Sequence, residues 1–101
     1  MLNKVILTGR ITNDLELKKT ANDKAYLQFC VAVNRKFDKE KTDFINCIAW
    51  SNQAEFISKY FAKGKLINIV GNICVDKGKE GKTYTTIRAE EVNFCGDKKE
   101  D

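Results

Sequence analysis

The chain has 101 residues, 43% of them hydrophobic and 32% charged, enough to bury one modest core and too few to accommodate a second catalytic domain. Lysine and arginine number 18 against 14 acidic residues, a net charge of +4, a mild basic excess that favours polyanionic partners without specifying one. There is no apolar run of membrane-spanning length, and the opening MLNKVILTGR has no cleavage-site pattern behind a long apolar stretch, so a soluble, unprocessed, cytoplasmic protein with no membrane role is expected.

In chain order, LNKVILTGRI at 2–11 reads as a first strand. A second, YLQFCVAVN at 26–34, alternates with period two: Leu27, Phe29, Val31 and Val33 share one face, and Tyr26, Gln28, Cys30 and Ala32 the other. The third strand covers 44–50. A helix follows in SNQAEFISKYFAKGK, where Ala54, Ile57 and Phe61, flanked by Phe56 and Tyr60, recur at helical spacing. Asn52 with Glu55 resembles a capping box, and Gly64 offers a left-handed stop. Strands at 66–75 and 83–95 complete the chain. The connections KKTANDKA, KFDKEKTD and DKGKEGK are short, charged and rich in turn residues, as exposed hairpin loops should be.

The order β-β-β-α-β-β, with one short helix between the third and fourth strands, predicts an all-β, five-stranded OB-fold barrel over residues 1–96, followed by a short charged tail at 97–101. An SH3-like barrel or a split open sheet fits the same pattern. Cys30, Cys47, Cys74 and Cys95 are widely separated, and the chain has no histidine. A structural zinc site is therefore not expected, and the thiols read as free and mostly buried. No cofactor is expected either.

The stretch FDKEKTDFINCIAW at 37–50 places three aromatic rings among charges. Along its strand, Ile45, Cys47 and Ala49 share one small apolar face suited to a narrow barrel interior, while Phe44, Asn46, Ile48 and Trp50 share the other. Phe44 and Trp50 lie about 20 Å apart on an extended strand, far enough for the two rings to take different bases of one nucleic-acid strand. Phe37 lies among Arg35, Lys36, Lys39 and Lys41, where an exposed ring is unfavourable unless something flat covers it. Stacking contributes roughly 1–3 kcal/mol per base while basic side chains follow the phosphates. Phe44 and Trp50 would equally suit a core or a subunit interface. Phe29, Phe56, Tyr60, Phe61 and Phe94 follow apolar periodicities and are expected in the core.

Taken together, NKVILTGRI, FCVAVNR, DFINCIAW running into QAEFISKYFAKG, VGNI and YTTIRAEEVNF resemble, in order from Asn3 to Phe94, the bacterial and bacteriophage single-stranded DNA-binding protein family. The resemblance implies an OB-fold homotetramer that wraps single-stranded DNA without sequence preference in replication, recombination and repair. It assigns base stacking to Phe37, Phe44 and Trp50. Phosphate contacts are expected from Arg35, Lys36, Lys39, Lys41 and Lys65, with further charge from Lys77, Lys79 and Lys82; Lys4 and Arg10 are weaker candidates because the first strand also serves subunit contacts in the family. Two features depart from the family. The last hairpin is short and carries Val75, Asp76 and Lys77 where a fourth stacking ring is usual, and CGDKKED lacks an acidic tip ending in apolar residues, so C-terminal recruitment of replication and repair proteins is expected to be poor.

An enzyme is not expected: the sequence has no histidine, no phosphate-binding glycine loop and no grouped carboxylates at metal spacing. The rival readings are an OB-fold adaptor docking a protein on the Phe44/Trp50 face and an RNA-binding module.

Overall fold

The structure, a computed structural model, describes residues 1–95; the charged tail expected at 97–101 lies outside them. Its elements are β1 (Val5–Ile11), β2 (Lys18–Lys19), β3 (Ala25–Asn34), β4 (Thr42–Trp50), α1 (Ser51–Tyr60), β5 (Leu66–Lys77) and β6 (Thr83–Phe94). The sheet order is β1-β5-β6-β4-β3-β2, and β1 pairs additionally with β3. That second pairing closes a five-stranded OB-fold barrel, with β2 as a two-residue ribbon on β3. The barrel and its single helix are those the sequence predicts.

Closure happens at Gly9. β1 pairs with β5 from Val5 to Arg10 and passes to β3 at Arg10 and Ile11. A Cβ on Gly9 would lie 3.0 Å from Val31 Cβ and 3.1 Å from both Ala32 O and Val33 Cγ2. A bare backbone is what allows β1 to approach β3 so closely.

The interior is filled by the predicted parity. Leu27, Phe29 and Val31 from β3 meet Cys47 and Ala49 from β4, Ile67 and Ile69 from β5, and Ile87, Ala89 and Val92 from β6. Cys47 is the buried thiol; Cys30, Cys74 and Cys95 are half-buried, and all four are free. Burial in this apolar wall pushes the Cys47 thiol up to about 12, with a smaller contribution from Cys30. α1 caps the barrel with Ala54 and Ile57 buried, and Phe61 follows them into the core.

Three local expectations change. The Asn52/Glu55 capping box does not form: β4 runs straight into the helix, so Trp50 is the N-cap residue and makes no side-chain cap bond. Gly64 is left-handed at φ 94, but it stands beyond the helix end, where its N–H donates to Ile11 O at 2.8 Å and turns the chain into β5. Tyr60 and Phe94 are substantially exposed rather than in the core. They flank the barrel in an aromatic cluster, with Phe94 stacked on Phe61 at 5.0 Å and Phe56 5.8 Å from Phe94. The helix turns only its Ala54–Ile57–Phe61 line to the barrel, which leaves the neighbouring rings at the rim.

Phe29 is 3% exposed at the centre of this packing. Phe29→Ala is expected to cost about 3–5 kcal/mol of stability, read by chemical denaturation; a loss below about 1 kcal/mol would mean that the barrel does not depend on this ring.

Candidate nucleic-acid interface

The outer face of the barrel follows from the same parity that fills the inside. Since Cys47 and Ala49 are buried, Phe44, Asn46, Ile48 and Trp50 must face outward on β4. The register sets Ala32 beside Phe44, Cys30 beside Asn46, Gln28 beside Ile48 and Tyr26 beside Trp50. On the other side of β4 the parallel strand β6 places Arg88 beside Ile48. The surface is thus three strands wide, with a large ring at each end of β4 and Asn46 and Ile48 between them.

The two ends differ. Phe44 is 67% exposed and Phe37, in the loop joining β3 to β4, is 93% exposed. Lys36 holds its Nζ 5.6 Å from the Phe37 ring, and Lys39 and Lys41 are exposed in the same loop. Trp50 is half-buried: its ring lies 5.3 Å from that of Tyr26, and Lys24 Nζ stands 4.8 Å from the indole centroid. Beside it is a hollow of about 460 Å³ lined by Lys24, Trp50, Ser51, Asn72, Arg88, Ala89 and Glu90. A second hollow, of about 410 Å³, lies nearer the Phe44 end, lined by Gln28 and Cys30 of β3, Asn46 of β4, and Tyr84 and Thr86 of β6. Exposed Tyr84 borders it, and its ring lies against Gly78: a Cβ there would come within 2.2 Å of Tyr84 Cε2.

The cations divide into tethered and untethered groups. Arg35 grips Asp43 across the base of the loop, Nη2 to Oδ1 at 3.0 Å and Nε to Oδ2 at 3.1 Å. The Arg35 hydrogen bond holds the Asp43 carboxyl below its usual range, and the same pair raises the guanidinium. Arg35 is therefore placed to hold the loop carrying Phe37 as much as to meet a phosphate. Lys77, Lys79 and Lys82 are exposed at the β5–β6 turn, near the Tyr84 end of the face. Lys65 lies elsewhere: its carbonyl accepts from Ile11 N at 3.0 Å, which puts it on the β1 side of the barrel, with β3 between it and β4. Lys4 is paired with Glu90 at 2.6 Å, and Arg10 donates to Gly64 O at 2.7 Å. Lys24, Tyr26, Tyr84 and Arg88 belong to the face although the sequence does not single them out. Period-two parity marks Tyr26, and on β6 Tyr84 and Arg88 against buried Ile87 and Ala89, as outward-facing, but nothing local places them beside the β4 line, and nothing local marks Lys24.

The Asp43 carboxyl has a depressed pKa, so the stability the pair contributes is present above the unfolded carboxylate pKa and is lost as pH falls through the lower folded value. A ¹³C titration of the Asp43 carboxyl is expected to show a midpoint below that of an aspartate in an unfolded peptide, and Arg35→Ala should remove the depression. A midpoint at or above the peptide value would mean that the pair does not hold in solution.

The sequence model of the single-strand binding protein family matches residues 2–95. A single-stranded DNA-binding protein of Halalkalibacterium halodurans is 40% identical over 102 residues, covering 93% of this chain and 61% of that protein. Single-stranded DNA-binding protein 1 of Streptococcus pyogenes is 46% identical over 77 residues, covering 72% and 59%. The crystal structure of the wild-type single-stranded DNA binding protein from Thermus aquaticus superimposes with a TM-score of 0.79 at 29% identity, over 95% of this chain and 41% of that one. The chain thus spans well under two thirds of these proteins' lengths. The family match runs through every strand and the helix of the barrel, and the chain belongs to the single-strand binding protein family.

Proposed function

We propose that the chain binds single-stranded DNA without sequence preference and protects it during replication, recombination and repair in the cytoplasm, as a binding protein rather than an enzyme. The observation that carries this reading is the outward line from Phe44 to Trp50 on β4, with Phe37 exposed beside it in a lysine-rich loop. Flat rings offer stacking surfaces to any base, while Lys36, Lys39 and Lys41 at one end and Lys77, Lys79 and Lys82 at the β5–β6 turn supply charge to the backbone. A protein-docking face would be depleted of charge around its central rings, and the surroundings of Phe37 are the opposite.

The proposed assembly is a homotetramer. The family resemblance suggests that number, and the outer face of β1 and β5 supports self-association: Ile6 is 77% exposed, lies opposite half-buried Val70, and is followed along the same pair by Leu66 opposite Arg10. Apolar side chains left in water on a regular sheet surface favour burial against another copy. Ile6→Lys is expected to lower the mass measured by light scattering. An unchanged mass would place the contact elsewhere.

Trp50 is the chain's one tryptophan, so its emission reports on a single site. Poly(dT) is expected to quench it strongly, duplex DNA weakly, and rising salt should weaken the binding. Phe44→Ala and Trp50→Ala should each weaken poly(dT) binding by about 1–3 kcal/mol with the fold intact. Normal binding by Trp50→Ala together with early melting would make the ring structural, and salt-insensitive capture of a protein without DNA binding would favour the adaptor reading.

A further inference from the structure

We propose that the hollow beside Trp50 is a phosphate subsite for single-stranded DNA in which Lys24 and Arg88 hold the backbone of the nucleotide stacked at the indole. The inference rests on the DNA-binding reading above and adds to it a path for the strand at the end of the face where the sequence places no cation.

The hollow is walled by a ring, two cations and one acid: Trp50, Lys24, Arg88 and Glu90. The acid already has partners of its own. Glu90 accepts from Lys4 at 2.6 Å and from Asn72 at 2.6 Å, and these bonds hold its carboxyl below the usual range. Among the described residues, Lys24 and Arg88 form no salt bridge. With Glu90 offset by Lys4, they leave the hollow with excess positive charge.

Their positions come from different parts of the fold. Lys24 stands one residue before β3, with its Nζ over the indole. Arg88 comes from β6, on the far side of β4, and lies beside Ile48. Trp50 lies between them on the outer face of β4. A base brought against the indole therefore carries its phosphates into a space with an ammonium on one side and a guanidinium on the other. The fork of Arg88 can grip two phosphate oxygens, while Lys24 supplies a point charge already held at the ring. The strand would run from the Phe37/Phe44 end over Asn46 and Ile48, pass Trp50, and leave across β6.

Two measurements test this. The salt dependence of poly(dT) binding is compared for the native chain, Lys24→Gln, Arg88→Gln and, on the α1–β5 connection away from the face, Lys63→Gln. Each lost phosphate contact makes the log–log slope shallower by about 0.7 on a single strand. That change is expected for Lys24→Gln and Arg88→Gln, with a native slope for Lys63→Gln. Without DNA, the ratio of iodide to caesium quenching of Trp50 should exceed that of free N-acetyltryptophanamide under the same conditions, because the anion is drawn to the hollow, and both glutamine variants should lose part of that excess. Both side chains are exposed, so melting temperatures should hold. Native poly(dT) binding with unchanged slopes in both variants overturns the subsite alone. An iodide-to-caesium quenching ratio in the native protein no higher than that of free N-acetyltryptophanamide overturns the cationic hollow. Failure of the native chain to bind poly(dT) removes the DNA-binding reading and the subsite with it.

Discussion

Everything on the outer face of β4 depends on how β1 closes the barrel. One short strand pairs with β5 along most of its length and with β3 at its end, and Gly9 removes the Cβ that would hold β1 away from Val31 and Val33. Once the sheet is closed it has an inside of limited volume, already occupied by Leu27, Phe29, Val31, Ile67 and Ile69. A strand crossing that wall can place only every second residue inside. On β4 the inside takes Cys47 and Ala49, so the large rings of Phe44 and Trp50 lie on the solvent side. Closure therefore places the rings outside before any ligand is considered.

The charge on this surface is unevenly committed. Arg35 spends its guanidinium on Asp43 and Lys4 spends its ammonium on Glu90; exposed pairs of this kind contribute little stability, and here their effect is to hold a loop and to neutralise an acid. Lys36, Lys39, Lys41, Lys77, Lys79 and Lys82 lie on the two turns flanking the face. Such a distribution suits a ligand with charge spread along its length, because no single contact has to be made for the others to form.

The two ends of the β4 line are built for different tasks. Phe37 and Phe44 present rings open to solvent. Trp50 leans on Tyr26 and carries Lys24 over its ring, so its ring is walled, held in a defined orientation and less open to solvent. Tyr84, lying over Gly78 at the border of the other hollow, adds a ring on β6 in the short hairpin where the expected position holds Val75, Asp76 and Lys77 instead.

The order of strands and helix, and the face each strand turns inward, are legible from the sequence because a period of two and a helical spacing are local properties that burial then enforces; the parity of β3 and β4 places Leu27, Phe29, Cys47 and Phe44 before any coordinates are known. The helix start is not legible, because Asn52 and Glu55 form a cap only if a loop precedes them, and β4 leaves none. Tyr60 and Phe94 mislead for a related reason: periodicity says which residues share a face, not whether the barrel is wide enough to cover all of them. Parity turns Tyr84 and Arg88 outward against Ile87 and Ala89 but does not say what stands beside them, and Lys24 carries no local mark at all. They reach the Phe44–Trp50 line through the cross-strand register of β3 with β4 and the parallel contact of β4 with β6, pairings between segments far apart in the chain. By itself, the sequence determined the five barrel strands, the helix, the inward residues of β3 and β4, and the outward placing of Phe44 and Trp50. Which charges stand beside those rings was decided only by the tertiary structure, because register is settled by the packing of the whole barrel and not by any one strand.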